Sequence, residues 1–220
     1  MAIHSESTKR EQDSKNPNSG KFENSQQKMN EQSYDKIAEW FVNHRKSSEV
    51  DSYILWFVER IEKGGKIFDA GCGGGVPNAE FLVEKGFDVT GIDFSEQMIR
   101  LAKANVPAAK VYKSDICSFE TDEKYDGIVA WDSLFHLEYD RNEFVFEKLF
   151  GLLKDNGYMV FSHGGGQGEI TGTMNGENFS YSSLGPELTL QTLKEIGFEI
   201  VKYEVDCSES HGYMKAIVKK

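Results

Sequence analysis

From Lys66 onward the chain repeats one arrangement: a short apolar run, a glycine-marked turn, then apolar positions three and four apart. Lys66-Ile67-Phe68-Asp69 reads as a buried parallel strand. Behind it, Gly71, Gly73 and Gly75 let the backbone turn tightly and approach a ligand without side chains between. Asp88-Val89-Thr90-Gly91-Ile92 reads as a second strand ending at Asp93, and Ser95 is a predicted N-cap for an amphipathic helix through Ala102. A third strand is expected over 111–116, and a fourth over 125–132 runs on to Ser133-Leu134-Phe135-His136-Leu137. Asp140 followed by Glu143 predicts a capping box and a helix to Leu153, and Asn156-Gly157 turns into a fifth strand over 158–162. Pro186 opens a last helix ending at Gly197, and 199–205 with 212–218 form a closing hairpin. Strand and helix alternating in this way predict an α/β fold.

Three stretches depart from the repeat. Residues 1–27 hold almost no apolar side chains, cannot offset the entropy of folding, and are expected to be a disordered tail. Residues 28–62 carry two apolar helical faces: one of Tyr34, Ile37, Ala38, Trp40 and Phe41, the other running from Val50 to Ile61. Residues 163–184 are rich in Gly, Ser, Thr and Asn with isolated apolar positions, and are expected to be a long insertion serving as a lid. Gly164-Gly165-Gly166 in it precedes no convincing helix and reads as flexibility rather than as a phosphate loop. One domain over 28–220 plus a tail is the economical organisation for 220 residues.

Charge decides which ligand the glycine loop holds. A dinucleotide places its pyrophosphate at the helix N-terminus behind such a loop, where the carboxylate of Asp69 would repel it. The spacing also departs from that fingerprint, because Val76 stands where Gly or Ala is wanted. S-adenosylmethionine instead brings a sulfonium and an ammonium group, which a carboxylate favours. Asp93 is placed to accept hydrogen bonds from the two ribose hydroxyls.

At Asp69-Ala70-Gly71-Cys72-Gly73-Gly74-Gly75 the chain resembles the class I S-adenosylmethionine-dependent methyltransferases, whose first motif is an acid followed by alternating glycines. The resemblance covers roughly 33–220. It implies a doubly wound, Rossmann-like sheet of seven strands, mostly parallel with the last antiparallel, and helices on both faces. It assigns Asp69, Gly71, Cys72, Gly73 and Gly75 to the cofactor, together with Asp93, Phe94 and Met98. It likens Asp115 to the acid that meets the adenine amino group, with Ile116 facing the ring. The fourth strand tip then lies beside the transferred methyl group, where Trp131 can pack on the methionine portion or the acceptor. Tyr34 lies on a helix similar to the N-terminal cap that places an aromatic residue near the methyl donor. Simple core packing accounts for the same pattern equally well.

Methyl transfer from a sulfonium is an in-line displacement from an activated donor, so positioning does most of the work. A base is needed only where the acceptor must lose a proton. His136 is the first candidate for that role and His163, after the fifth strand, the second. Both also read as ordinary structural histidines. Asp132 can orient either one or cap the next helix.

The remaining composition narrows the acceptor. Net charge is -11, and no block of Lys and Arg interleaves with aromatics, which disfavours nucleic acid. Asp132-Ser133-Leu134-Phe135 is not the prolyl motif of enzymes that methylate base amines, and no proline precedes a cysteine. A small-molecule acceptor is expected, methylated at oxygen or nitrogen, with no metal: Asp132, Asp140 and Asn142 are too loosely spaced for a ligand set. Cys72, Cys117 and Cys207 form no Cys-x-x-Cys pair and read as buried thiols. No apolar run approaches the ~20 residues of a membrane span, so the expected setting is cytoplasmic, as monomer or homodimer. Two alternatives stand beside this reading: an NAD-linked oxidoreductase, and a non-catalytic S-adenosylmethionine-binding regulatory protein.

Overall fold

The computed structural model of the chain describes residues 25–206 and 212–220. The expected tail thus lies outside the described residues as far as 24, and its last three positions belong to a helix. That helix, α1 (Ser25–Arg45), precedes α2 (Ser52–Val58), which Asp51 caps by accepting from the Tyr53 amide. Strand β1 (Lys66–Ala70), α3 (Asn78–Glu84), β2 (Asp88–Asp93), α4 (Glu96–Asn105) and β3 (Lys110–Lys113) follow. Next come β4 (Tyr125–Ala130), two short 3-10 turns at Leu134–His136 and Tyr139–Arg141, α5 (Asn142–Leu152) and β5 (Leu153–Gly164). Strands β6 (Gln167–Met174) and β7 (Glu177–Leu184), helix α6 (Pro186–Ile196), β8 (Glu199–Asp206) and β9 (Tyr213–Lys219) complete the order.

Seven strands form one sheet in the order β3-β2-β1-β4-β5-β9-β8. The first five are parallel, and β9 runs antiparallel to both β5 and β8. The order reverses at β1 and β4, whose carboxyl ends open the crevice where ligands bind in such sheets. Ile67, Val89, Val129 and Val160 pack with α2 residues Tyr53, Ile54 and Phe57 in one apolar cluster. Phe68, Ile128, Met159 and Phe161 pack with Phe146, Leu149 and Leu193 of α5 and α6 in another. Both strand faces are therefore apolar, as a parallel sheet covered on two sides requires.

Three expectations need correction. Asp140 and Glu143 form no capping box: the residue before α5 is Arg141, no side chain caps the helix, and the 3-10 turn at Tyr139–Arg141 carries the chain into it. The stretch 163–184 is not an irregular insertion. His163 and Gly164 extend β5, and β6 and β7 pair residue by residue from Gln167↔Leu184 to Met174↔Glu177. Asn175 and Gly176 form the two-residue loop, with φ of 48° and 82°, the left-handed pair that a tight hairpin demands. Gly165 is likewise a packing position and not a flexible one. Its amide donates to the Gly212 carbonyl, and a Cβ there would lie 2.4 Å from the Gly212 carbonyl carbon.

Helix α1 lies across α4 and β7, joining the cofactor half of the sheet to the hairpin. Asp35 Oδ1 accepts from Ser95 Oγ at 2.6 Å and from the Gln97 amide at 3.1 Å, so a residue of α1 helps to cap α4. At the hairpin, Ser33 Oγ donates to the Asn178 carbonyl at 2.7 Å. Asn30, fully buried, pairs through its amide with both backbone groups of Ser180, each at 2.9 Å.

Candidate active site

The cleft at the strand tips encloses about 630 Å³, counted with its open mouth. Its floor is the β1 loop. The Gly71 and Cys72 amides both donate to the Ile92 carbonyl at 2.9 Å, which holds that loop against the end of β2. Gly71, at φ 93°, has no room for a side chain, since a Cβ would lie 2.3 Å from Ser133 Cβ. Ser133 in turn donates from Oγ to the Ala70 carbonyl at 2.6 Å, joining the tips of β4 and β1. Gly74 is needed for a different neighbour: its Cβ would meet Val42 of α1 at 2.1 Å. The glycines therefore let α1 and the β4 tip close down on the cleft, while Gly73, at φ 52°, faces open space.

Two carboxyls face this space. Asp69 is 2 % exposed, and burial, then the charge of Asp93, pushes its pKa up to about 7. Burial likewise pushes Asp93 up to about 6, against the opposing pull of two backbone donors. Those donors are Ser95 N at 2.8 Å and Gly73 N at 2.9 Å, so Asp93 also fixes the glycine loop. Desolvated carboxyls side by side are costly as anions and call for a cationic ligand. This fits the residues to a sulfonium nucleoside and opposes a pyrophosphate.

The cleft brings together most of the positions singled out in the sequence: Asp69, Gly71, Gly73, Asp93, Phe94 and Met98 on the cofactor side, with Tyr34, Trp131 and Asp132 above. Others lie behind it. Cys72 packs its sulfur where a Gly91 side chain would be, within 2.9 Å of that ideal Cβ, and burial raises its thiol pKa well above the ordinary value. Gly75 backs onto Ala102 and Val106. Asp115 folds its carboxylate onto the Cys117 amide at 3.0 Å in the turn after β3, and Ile116 packs against the apolar cluster around Phe68; neither lines the cleft.

Asp132 holds a left-handed backbone, φ 53°, which is uncommon for a residue other than glycine. Ser162 of β5 fixes it from both ends, accepting from the Asp132 amide at 2.8 Å and donating to Oδ1 at 3.0 Å. Oδ2 accepts from Arg45 at 2.9 Å, at the carboxyl end of α1. Asp132 thus orients neither histidine in this structure. Arg45, Asp35 and Asn30 were not singled out in the sequence, where each is one polar residue among many on a helix.

His136 is buried, and its Nε2 stands 2.8 Å from the Tyr34 hydroxyl; Tyr34 lines the cleft and His136 does not. Burial drives the His136 pKa down to about 4, against the Ser180 carbonyl, and raises that of Tyr34 far above the ordinary phenol. Both are neutral near pH 7. Tyr34 also meets Phe94, Phe41 and Phe179 at ring-centroid distances of 5.9, 5.5 and 4.8 Å, so an aromatic wall runs from cofactor side to hairpin. His163 is 1 % exposed beside Phe146, with neither ring nitrogen hydrogen-bonded and a pKa driven down to about 4 by burial. The structure does not bring it to the cleft. Among the described residues no group of three or more His, Cys, Asp or Glu side chains is gathered as metal ligands, and no helix is long and apolar enough to cross a membrane.

A parallel sheet with its last strand antiparallel, a glycine loop after β1 and an acid at the tip of β2 define an S-adenosylmethionine-dependent methyltransferase fold. Residues 42–203 match the family model described as a methyltransferase domain, and the chain belongs to that family. Among curated proteins it is 32% identical over 120 residues to YqeM of Bacillus subtilis (strain 168), assigned as a methyltransferase, covering 50% of this chain and 47% of that one. It is 28% identical over 137 residues to the ubiquinone biosynthesis O-methyltransferase of Bordetella avium (strain 197N), covering 60% of this chain and 52% of the other. The chain thus spans about half the length of these relatives. The magnesium protoporphyrin IX methyltransferase of Synechocystis PCC 6803, solved with bound S-adenosylhomocysteine, superposes with a TM-score of 0.67 at 16% identity, over 89% of this chain and 99% of that one. That likeness shows the fold.

Proposed function

We propose that the chain methylates an oxygen or nitrogen atom of a small polar or amphipathic molecule held between α1, the β4 tip and the β6–β7 hairpin. The observation that carries this reading is the continuity of the site. The two desolvated carboxyls of the cleft adjoin an aromatic wall that Tyr34 shares with both the cofactor side and the hairpin. S-adenosylmethionine supplies an electrophilic methyl group on a sulfonium. The chain's own part is to hold the acceptor atom in line, at ~3 Å from the methyl carbon, and to exclude water. Asp93 fits the ribose hydroxyls through lone pairs its two backbone bonds leave free. Asp69 balances the positive charge at the methionine end, and Arg45 suits the methionine carboxylate. Tyr34 and Trp131 flank the methyl group, where their rings favour a cation. His136 acts from behind Tyr34. That several relatives are named for small-molecule substrates supports the acceptor class without fixing the molecule.

Calorimetric titration with S-adenosylmethionine, S-adenosylhomocysteine and NAD is the direct test. Binding of the first two with NAD silent is expected, and Asp93→Ala should weaken both by roughly 30-fold through loss of charge-assisted bonds worth about 2 kcal/mol. NAD binding alone would return the chain to the oxidoreductases. A methyl-transfer assay over metabolite pools then separates an enzyme from a cofactor-binding regulator.

A further inference from the structure

Asn30, His136, Tyr34 and Ser180 form one hydrogen-bonded cluster in which burial decides which donor can be left over. Asn30 is fully buried and its amide orientation is fixed, because the Ser180 amide donates to Oδ1 at 2.9 Å and Nδ2 donates to the Ser180 carbonyl at 2.9 Å. The second hydrogen on Nδ2 has one remaining neighbour, His136 Nδ1 at 3.2 Å. Nδ1 is also 3.2 Å from the Ser180 carbonyl. Suppose Nδ1 carried the imidazole proton: Nδ1–H would take the second lone pair of the Ser180 carbonyl, Tyr34 would donate to Nε2, and the second Nδ2 hydrogen of the buried Asn30 would have no acceptor, at a cost of about 1–3 kcal/mol. With the proton on Nε2, both Asn30 hydrogens and the imidazole N–H are matched, and the one donor left over is the hydroxyl of Tyr34, a residue that lines the cleft. Nδ2–H reaches the Nδ1 lone pair, and Nε2–H donates to the Tyr34 oxygen at 2.8 Å.

We propose that Asn30 is a positioning residue that locks His136 as the Nε2–H tautomer, which makes the Tyr34 hydroxyl a hydrogen-bond donor into the cleft and not a station for removing a proton. This rests on the reading of the cleft as a methyl-transfer site. The Tyr34 oxygen is occupied by His136, and its own hydrogen has no other partner among the described residues. Tyr34 lines the cleft, so that hydrogen is left for a ligand between α1 and the β4 tip. The acceptor it suits is an oxyanion such as a carboxylate, whose oxygen arrives unprotonated and keeps a further lone pair for the methyl carbon while one accepts from Tyr34. In the transfer step the acceptor's lone pair forms the new bond to the methyl carbon, the carbon–sulfur electron pair returns to sulfur, and no proton passes to Tyr34 or His136. Both side chains being neutral near pH 7 agrees with a pair that orients and does not titrate.

The test is nitrogen NMR of the full chain labelled with 15N-histidine, the His136 signals being identified by their loss in His136→Gln. Nδ1 is expected in the range of an unprotonated ring nitrogen and Nε2 in that of a protonated one; the reverse pattern overturns the inference. Asn30→Asp, whose carboxylate accepts only, is expected to reverse the pattern, and an unchanged pattern removes Asn30 from the role. Should that variant not fold, the wild-type spectrum decides alone. Transfer of radiolabelled methyl to a panel of carboxylic acids, amines and aliphatic alcohols completes the test, with turnover expected for a carboxylic acid, and amines or alcohols as sole acceptors contradicting it. S-adenosylmethionine is titrated into the same sample. Binding with the reverse tautomer refutes this inference alone, whereas absence of binding refutes the function on which it rests.

Discussion

Acidification should weaken cofactor binding far more than the ordinary pKa of aspartate would suggest. In the ligand-free protein Asp69 and Asp93 sit at about 7 and about 6, because ionising them in a desolvated cleft without a cation is costly. A sulfonium and an ammonium supply that cation, so binding requires both carboxyls ionised and releases whatever protons they hold. The factor by which protonation competes is one plus ten to the power of pKa minus pH. Between about pH 7.5 and about pH 6 it rises from about 1.3 to about 11 for Asp69, and from about 1 to about 2 for Asp93. Affinity should therefore fall about 15-fold over that interval, about 1.6 kcal/mol, with roughly 1.4 protons released per cofactor bound at the lower pH. The sign for the fold itself is opposite. Between about pH 4 and pH 7 the ligand-free fold holds protons that the unfolded chain has lost, so its stability declines as pH rises through that window. Titration calorimetry in buffers of different ionisation enthalpy measures both quantities, and Asp69→Asn should remove most of the pH dependence. A constant affinity with no proton release would refute the claim that these carboxyls are desolvated and unpaired before the cofactor enters.

Three further outcomes follow from particular contacts. Gly74→Ala should lower the melting temperature by several degrees, and Val42→Ala should restore it, because the obstacle is Val42; Gly71→Ala should not be restored by Ser133→Gly, since its φ of 93° remains. Ser162→Ala should cost roughly 1–3 kcal/mol in chemical denaturation and lower turnover more than cofactor affinity, as Asp132 loses both bonds that hold its left-handed backbone. His163→Leu should leave stability unchanged or raise it by about 1 kcal/mol, because an imidazole with two unpartnered nitrogens gives way to an apolar group of similar size. Loss of turnover in a stable His163→Leu protein would give that histidine a part in the chemistry after all.

The sheet and the glycine floor of the cleft were legible in the sequence because each signal there is local. An apolar run, a glycine with no room beside it and an acid at a strand end lie within about thirty residues of one another. Ser95, read as an N-cap, does cap α4 through the Met98 amide, and Pro186 and Gly197 bound α6 as expected. The acceptor wall was not legible, for two physical reasons. Polar composition hid the hairpin, although Asn175-Gly176 is the strongest short-range hairpin signal a sequence offers, because β6 and β7 are built from Ser, Thr and Gly and bury only part of their surface on α1. Long-range pairing hid the rest. Asn30 finds its partner 150 positions away at Ser180, and Arg45 finds Asp132 87 positions away, distances no periodicity encodes.

The cap that Asp35 places on α4 has a consequence for the order in which molecules enter and leave. The same helix carries Tyr34, which lines the cleft, and the carboxylate that steadies the turn just after Asp93. Lifting α1 to admit an acceptor would therefore loosen the grip on the nucleoside in the same movement. A protein wired this way gains by loading the donor first and closing over it, and by letting both products go in one opening.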